Sequence, residues 1–176
     1  MEAVSKKKSD HHGATPATLA LEKAGTSFTI RTFEHSSGVT DFGAEAADAL
    51  AAEGYVAERI CKTLMVDLTG GPHSGQMAVA IVPVTTSLDL KAVASAFGAK
   101  KATMADPTAA ERSSGYVVGG ISPLGQKKQL PTVLDLSAAD HETILVSGGR
   151  RGLDIELTPD DLVGTLDATL APVGRD

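Results

Sequence analysis

Ile60-Cys61-Lys62-Thr63-Leu64-Met65-Val66-Asp67-Leu68 and Met77-Ala78-Val79-Ala80-Ile81-Val82-Pro83-Val84 read as two apolar strands. The segment between them carries Gly70-Gly71-Pro72, so the pair is expected to close as a hairpin with a long loop. On its N-terminal side, Thr15-Pro16 opens a helix, with Thr as the cap and Pro at the first helical position, and Gly25 closes it. A short strand over about 28–33 and an Ala-rich helix over 43–53, ending at Gly54, follow. On the C-terminal side, 88–97 reads as a helix with Asp89 near its start, and Asp106-Pro107 opens another that must stop by Gly115. Short β-branched strands are expected at 116–118, 132–136, 143–146 and 153–157, before Thr158-Pro159 starts a terminal helix. Strands outnumber helices without a regular βα alternation. The order predicts a single α+β domain over 14–176, a curved mixed β-sheet flanked by helices, with 1–13 as a flexible tail.

The chain has 176 residues, 42% hydrophobic and 22% charged, which suits one globular domain with a sizeable core. There is no Trp and only 3% of residues are aromatic, so the core is expected to be Val, Leu, Ile and Ala. The same scarcity argues against binding nucleic-acid bases on an aromatic platform. A net charge of −6 argues against a generally basic DNA or RNA binder, but the charge is segregated. Lys100, Lys101, Arg112, Lys127 and Lys128 are opposed across 100–128 only by Asp106 and Glu111, whereas 152–176 is strongly acidic. Cys61 is the only cysteine, which rules out an intrachain disulfide and a Cys-rich metal site and fits a reducing, cytoplasmic setting. The N-terminus lacks the apolar run of a secretion signal, and no stretch approaches a membrane span. His11 and His12 are read as passive.

Strand alternation puts Lys62 in the apolar phase with Ile60, Leu64, Val66 and Leu68. An ammonium there must snorkel to the sheet end, pair with a carboxylate, or project into a polar pocket, because burying it alone is costly. Two Gly-rich, basic segments stand out elsewhere: Gly119-Gly120-Ile121-Ser122-Pro123-Leu124-Gly125 followed by Lys127 and Lys128, and Ser147-Gly148-Gly149-Arg150-Arg151-Gly152-Leu153-Asp154. They read either as tight turns or as backbone concavities that bind an anion or a carbonyl. Familiar catalytic signatures are missing. Neither Ser122 nor Ser147 sits in Gly-x-Ser-x-Gly, Cys61 has no activating signature, and His35, His73 and His141 are isolated. No P-loop is present, and no cofactor or metal is expected.

These residues together resemble the bacterial Cys-tRNA(Pro) deacylases, the YbaK/EbsC group of free-standing editing proteins related to the insertion domain of prolyl-tRNA synthetase. The resemblance runs from about Thr15 to the C-terminus. It rests on Thr15-Pro16-Ala17, Cys61-Lys62-Thr63-Leu64, Gly98-Ala99-Lys100-Lys101, Met104-Ala105-Asp106-Pro107, Ser114-Gly115-Tyr116, the 119–128 segment and Val146-Ser147-Gly148-Gly149 with Arg151-Gly152-Leu153. It implies removal of cysteine wrongly attached to the proline tRNA, with the substrate's own thiol attacking the ester. Lys62, Gly119 and Ser147 are the implied catalytic positions, and Phe33, Thr63, Gly120, Ile121, Gly149 and Asp154 the implied substrate-binding ones. Lys62 would orient the tRNA 3′ end or the aminoacyl group, and amides around Gly119 and Gly149 would stabilise the oxyanion. The sequence departs from the family at Phe33, where Tyr is usual. The implied partners are mischarged tRNA(Pro) and prolyl-tRNA synthetase, with Lys100, Lys101, Lys127, Lys128, Arg150 and Arg151 as possible phosphate contacts. Two other readings stay open: a catalytically weak tRNA- or synthetase-binding module, and an editing protein for another mischarged tRNA such as Ala-tRNA(Pro).

Overall fold

The computed structural model describes residues 14–176, so the expected tail and its histidines lie outside the described residues. In chain order the first half comprises α1 (Pro16–Ala24), β1 (Thr29–Thr32), α2 (Phe42–Ala51), β2 (Cys61–Thr69), β3 (Met77–Pro83), β4 (Ser87–Leu88) and α3 (Leu90–Ala96). The second comprises β5 (Lys101–Met104), α4 (Pro107–Ser114), β6 (Thr132–Asp135), β7 (Ile144–Arg150), β8 (Leu153–Leu157), α5 (Pro159–Leu166), β9 (Thr169–Ala171) and β10 (Gly174–Arg175). The expected hairpin forms, β2 pairing antiparallel with β3 from Cys61 opposite Pro83 to Asp67 opposite Met77. It is the centre of a five-stranded mixed sheet ordered β5-β2-β3-β6-β9, whose last two ladders are parallel. A three-stranded antiparallel sheet, β1-β8-β7, and a β10-β4 ribbon complete the α+β domain. An isolated parallel bridge from Ile60 to Leu145 links the two larger sheets at the start of β2.

The five-stranded sheet is buried on both faces, which explains why β2 and β3 read as continuous apolar runs. Cys61, Met65, Val79, Ile81 and Leu134 pack with Leu21, Val146, Ile155 and Leu162 on one side. On the other, Val66, Leu68, Ala80, Val82 and Val133 pack with Val93, Phe97 and Val173. Helix starts are fixed by side-chain caps: Thr15, Asp89, Asp106 and Thr158 accept the amides of Thr18, Ala92, Ala109 and Asp161. Each such cap contributes about 1 kcal/mol.

Two local expectations need correction. Residues 116–118 form no strand: Gly115 and Gly119, at φ 86° and 89°, turn the chain on either side. The Tyr116 hydroxyl donates to Leu124 O at 2.7 Å and holds the segment as a loop. The segment 147–150, read as a Gly-rich loop, instead continues β7 to Arg150 with an irregular register between Ser147 and Arg150. The loop after Ser122 docks on the start of α1, where a Cβ on Gly125 would lie 2.4 Å from Pro16 O and where φ is +67°. Gly125→Ala is therefore expected to destabilise the fold by roughly 2–4 kcal/mol. The readout is a lower urea midpoint at unchanged slope, and an unchanged midpoint would show that this loop is not pinned to α1.

Candidate functional site

Where Ile60 bridges the two sheets, they enclose a cavity of about 470 Å³. It is lined by the first residues of β2, by residues of β7 and β8, by the 118–121 loop, by Phe33 just after β1, by the start of α2, and by Met104, Pro107 and Ala110 at the end of β5 and on α4. Lys62, Thr63, Gly119, Ile121, Ser147, Asp154 and Phe33 all line it. Gly120 and Gly149 do not. Gly120 packs behind the wall, where its Cβ would lie 2.8 Å from Arg150 Cα, and its N–H donates to Val117 O at 2.8 Å. Gly149 faces Tyr116 and Thr15, and its N–H donates to Ser147 Oγ at 3.3 Å.

Several polar groups in the cavity lack protein partners. Lys62 is half-buried, and no carboxylate lies within ion-pair distance of it among the described residues. Thr63 Oγ1 is buried without a hydrogen-bond partner. In the 118–120 segment, Val118 N–H donates to Glu111 Oε2 at 2.7 Å and Gly120 N–H to Val117 O, leaving the intervening Gly119 amide without an acceptor among the described residues.

Asp154 is only 7% exposed, and burial pushes its carboxyl up to about 7. Its ladder partners are Ser147 on β7 and Arg31 on β1, yet Arg31 gives its guanidinium to Glu156, two residues along, at 3.0 Å. Glu156 also accepts from Arg59 Nη2 at 3.0 Å, the Tyr55 hydroxyl at 2.6 Å and Thr143 Oγ1 at 2.6 Å. Burial would raise that carboxyl, but these hydrogen bonds and the Arg31 charge hold it below the usual range. Of two acidic residues on one strand face, one is thus saturated and one is left free in the pocket.

The cavity holds no activated protein nucleophile. Burial pushes the Cys61 thiol up to about 12, so it stays protonated at neutral pH. No histidine lines the cavity to act as a base for Ser147. Ser122 is fully buried, its hydroxyl accepting the Leu124 amide at 3.1 Å. Sequence reading missed Thr40, Asp41, Phe42, Gly43, Met104 and Pro107, which also line the cavity; the Asp41 carboxylate is engaged as the α2 cap, accepting the Ala44 amide at 3.0 Å. Phe42, Gly43, Met104 and Pro107 carry no reactive chemistry, and only the fold brings α2 and α4 to this place.

Residues 42–165 match the family model for the aminoacyl-tRNA editing domain. The chain is 41% identical over 115 residues to EbsC of Enterococcus faecalis, named provisionally a Cys-tRNA(Pro)/Cys-tRNA(Cys) deacylase, across 65% of this chain and 68% of that one. Among solved structures, one described provisionally as a trans-editing enzyme for prolyl-tRNA synthetase superposes with a TM-score of 0.78 at 21% identity, over 99% of this chain and all of the other. The hypothetical protein APE2540 gives the same score at 22% identity over 92% of this chain. No helix among the described residues is long and apolar enough to cross a membrane. With most of its length, including every element that walls the cavity after β1, inside the matched region, the chain belongs to the aminoacyl-tRNA editing domain family and is an aminoacyl-tRNA deacylase.

Proposed function

We propose that the chain removes cysteine from mischarged Cys-tRNA(Pro), in trans to prolyl-tRNA synthetase, by letting the substrate's thiol do the chemistry. The observation that carries this reading is a pocket with a cation, a free carboxyl and a free amide but no activated nucleophile of its own. The name of the Enterococcus relative supports the cysteinyl substrate. In this scheme the cysteinyl sulfur attacks its own ester carbonyl and the bond to the ribose oxygen breaks. The thiol proton ends on that oxygen, giving a cyclic thiolactone and free tRNA. Lys62 holds the aminoacyl end in position, and the Gly119 amide faces the developing oxyanion, a role worth about 3 kcal/mol per donor. Gly149, which does not line the cavity and whose amide is already engaged by Ser147, takes no part in this role.

A pocket sorting by size alone discriminates by only about 1–3 kcal/mol per methylene, so cysteine and proline are poorly separated by fit. Requiring a side-chain nucleophile spares Pro-tRNA chemically. Phe33 offers no hydroxyl to the substrate, so positioning falls to Lys62, Thr63 and Asp154, which line the same cavity. The test is a deacylation time course on Cys-, Ser- and Pro-tRNA(Pro). Rapid loss of the cysteinyl ester alone is expected. Equal loss of the seryl ester would overturn thiol assistance, and loss of none would favour the non-catalytic binding module.

A further inference from the structure

Two arginines, Arg150 in the cavity lining and Arg151 set against the lining residues Val118 and Phe42, have no part in the chemistry above. Arg150 lines the cavity and is exposed. Arg151 is held in a fixed pose: its Nε donates to Val118 O at 2.9 Å, and its guanidinium stacks 4.8 Å over the Phe42 ring. That ring in turn rests on Gly119, where a Cβ would lie 2.8 Å from it, and Gly120 packs directly on the Arg150 backbone. Three segments of the chain therefore meet here and fix the Arg151 guanidinium and the backbone from which the exposed Arg150 side chain projects. Neither has a carboxylate within ion-pair distance among the described residues, although the chain carries a net charge of −6. Arg31 and Arg59, by contrast, are both paired to Glu156.

From this geometry we propose that Arg150 and Arg151 form a phosphate clamp for the single-stranded 3′ end of the substrate RNA, gripping its last phosphodiesters as the aminoacyl group enters the cavity. The proposal rests on the editing reading for the identity of the ligand. A cavity of about 470 Å³ accommodates an aminoacyl group and its ribose, so the phosphates must emerge at the mouth. Planar guanidinium groups suit phosphate oxygens by forming paired hydrogen bonds, and with its Nε on Val118 O, Arg151 keeps its terminal amino groups for that purpose.

The test is binding of an uncharged acceptor-stem minihelix ending in CCA, titrated with salt. Arg150→Ala, which breaks no hydrogen bond of the Arg151 pose, and Arg151→Ala are each expected to weaken binding several-fold. Each should also flatten the slope of log K against log salt by about 0.7, the value for one single-strand phosphate contact. In deacylation assays both variants should raise KM for Cys-tRNA(Pro) with kcat close to wild type, and should lose markedly less on phosphate-free cysteinyl-adenosine than on Cys-tRNA(Pro). Arg151→Lys should restore the salt slope. Unchanged affinity and slope in both alanine variants would overturn the clamp. Failure of the wild-type protein to cleave any aminoacyl ester would sink the editing reading, while the salt titration would still decide for or against the clamp.

Discussion

Lys62→Ala is expected to lose at least about a hundredfold in kcat/KM on Cys-tRNA(Pro) while remaining folded. The loss is of the size seen when one preorganised electrostatic contact to a reacting centre is removed. The fold should tolerate the change because Lys62 is half-buried and makes no ion pair among the described residues whose partner would be stranded. Single-turnover deacylation read beside a urea curve separates the two effects. A near-normal rate in this variant would remove Lys62 from the site, and a collapsed urea midpoint would recast it as a structural residue.

Asp154→Asn is expected to stabilise the protein, and to do so only above mildly acidic pH. The folded carboxyl titrates near 7 against an ordinary value of 3.8, so between those values the native state keeps a proton that the unfolded chain has released. Stability should therefore fall as pH rises from about 4 through 7 and level off beyond. The loss approaches roughly 4 kcal/mol, because each step of one in pH between the two values removes about 1.4 kcal/mol. The Asn variant cannot ionise, so its urea midpoint should stay flatter from about pH 4.5 to 8 and exceed wild type at the upper end. A wild-type midpoint that rises across this range would mean that the carboxylate finds a partner. A gain in stability accompanied by lost deacylation would mark Asp154 as strain kept for function.

Much of this architecture was legible where local chemistry and tertiary packing agree. Thr15-Pro16, Asp106-Pro107 and Thr158-Pro159 announce helices because cap and proline act within one turn, and each is found as read. The hairpin was legible because both strands are buried on two faces. β5 was not, since Lys-Ala-Thr-Met shows no apolar period, buries only Ala102, and exists because β2 offers it an edge. Tyr116-Val117-Val118 misled in the opposite direction: β-branched composition favours a strand, but left-handed glycines before and after it set the chain turning. At the site, Lys62 was conspicuous as a charge in an apolar phase, whereas the free carboxyl of Asp154 depends on a choice made by Arg31 across the ladder. No spacing in the sequence encodes that choice.

The packing of Gly119 beneath the Phe42 ring and of Gly120 on the Arg150 backbone has a bearing on how such a pocket could be retuned. A wall built from main chain offers no side chain to trim, and adding one displaces a ring or a neighbouring strand. Library design aimed at a different aminoacyl ester would waste its diversity on 119–120. The adjustable positions are other lining side chains, Phe33 and Met104, the latter 50% exposed, neither of which is packed against Gly119 or Gly120.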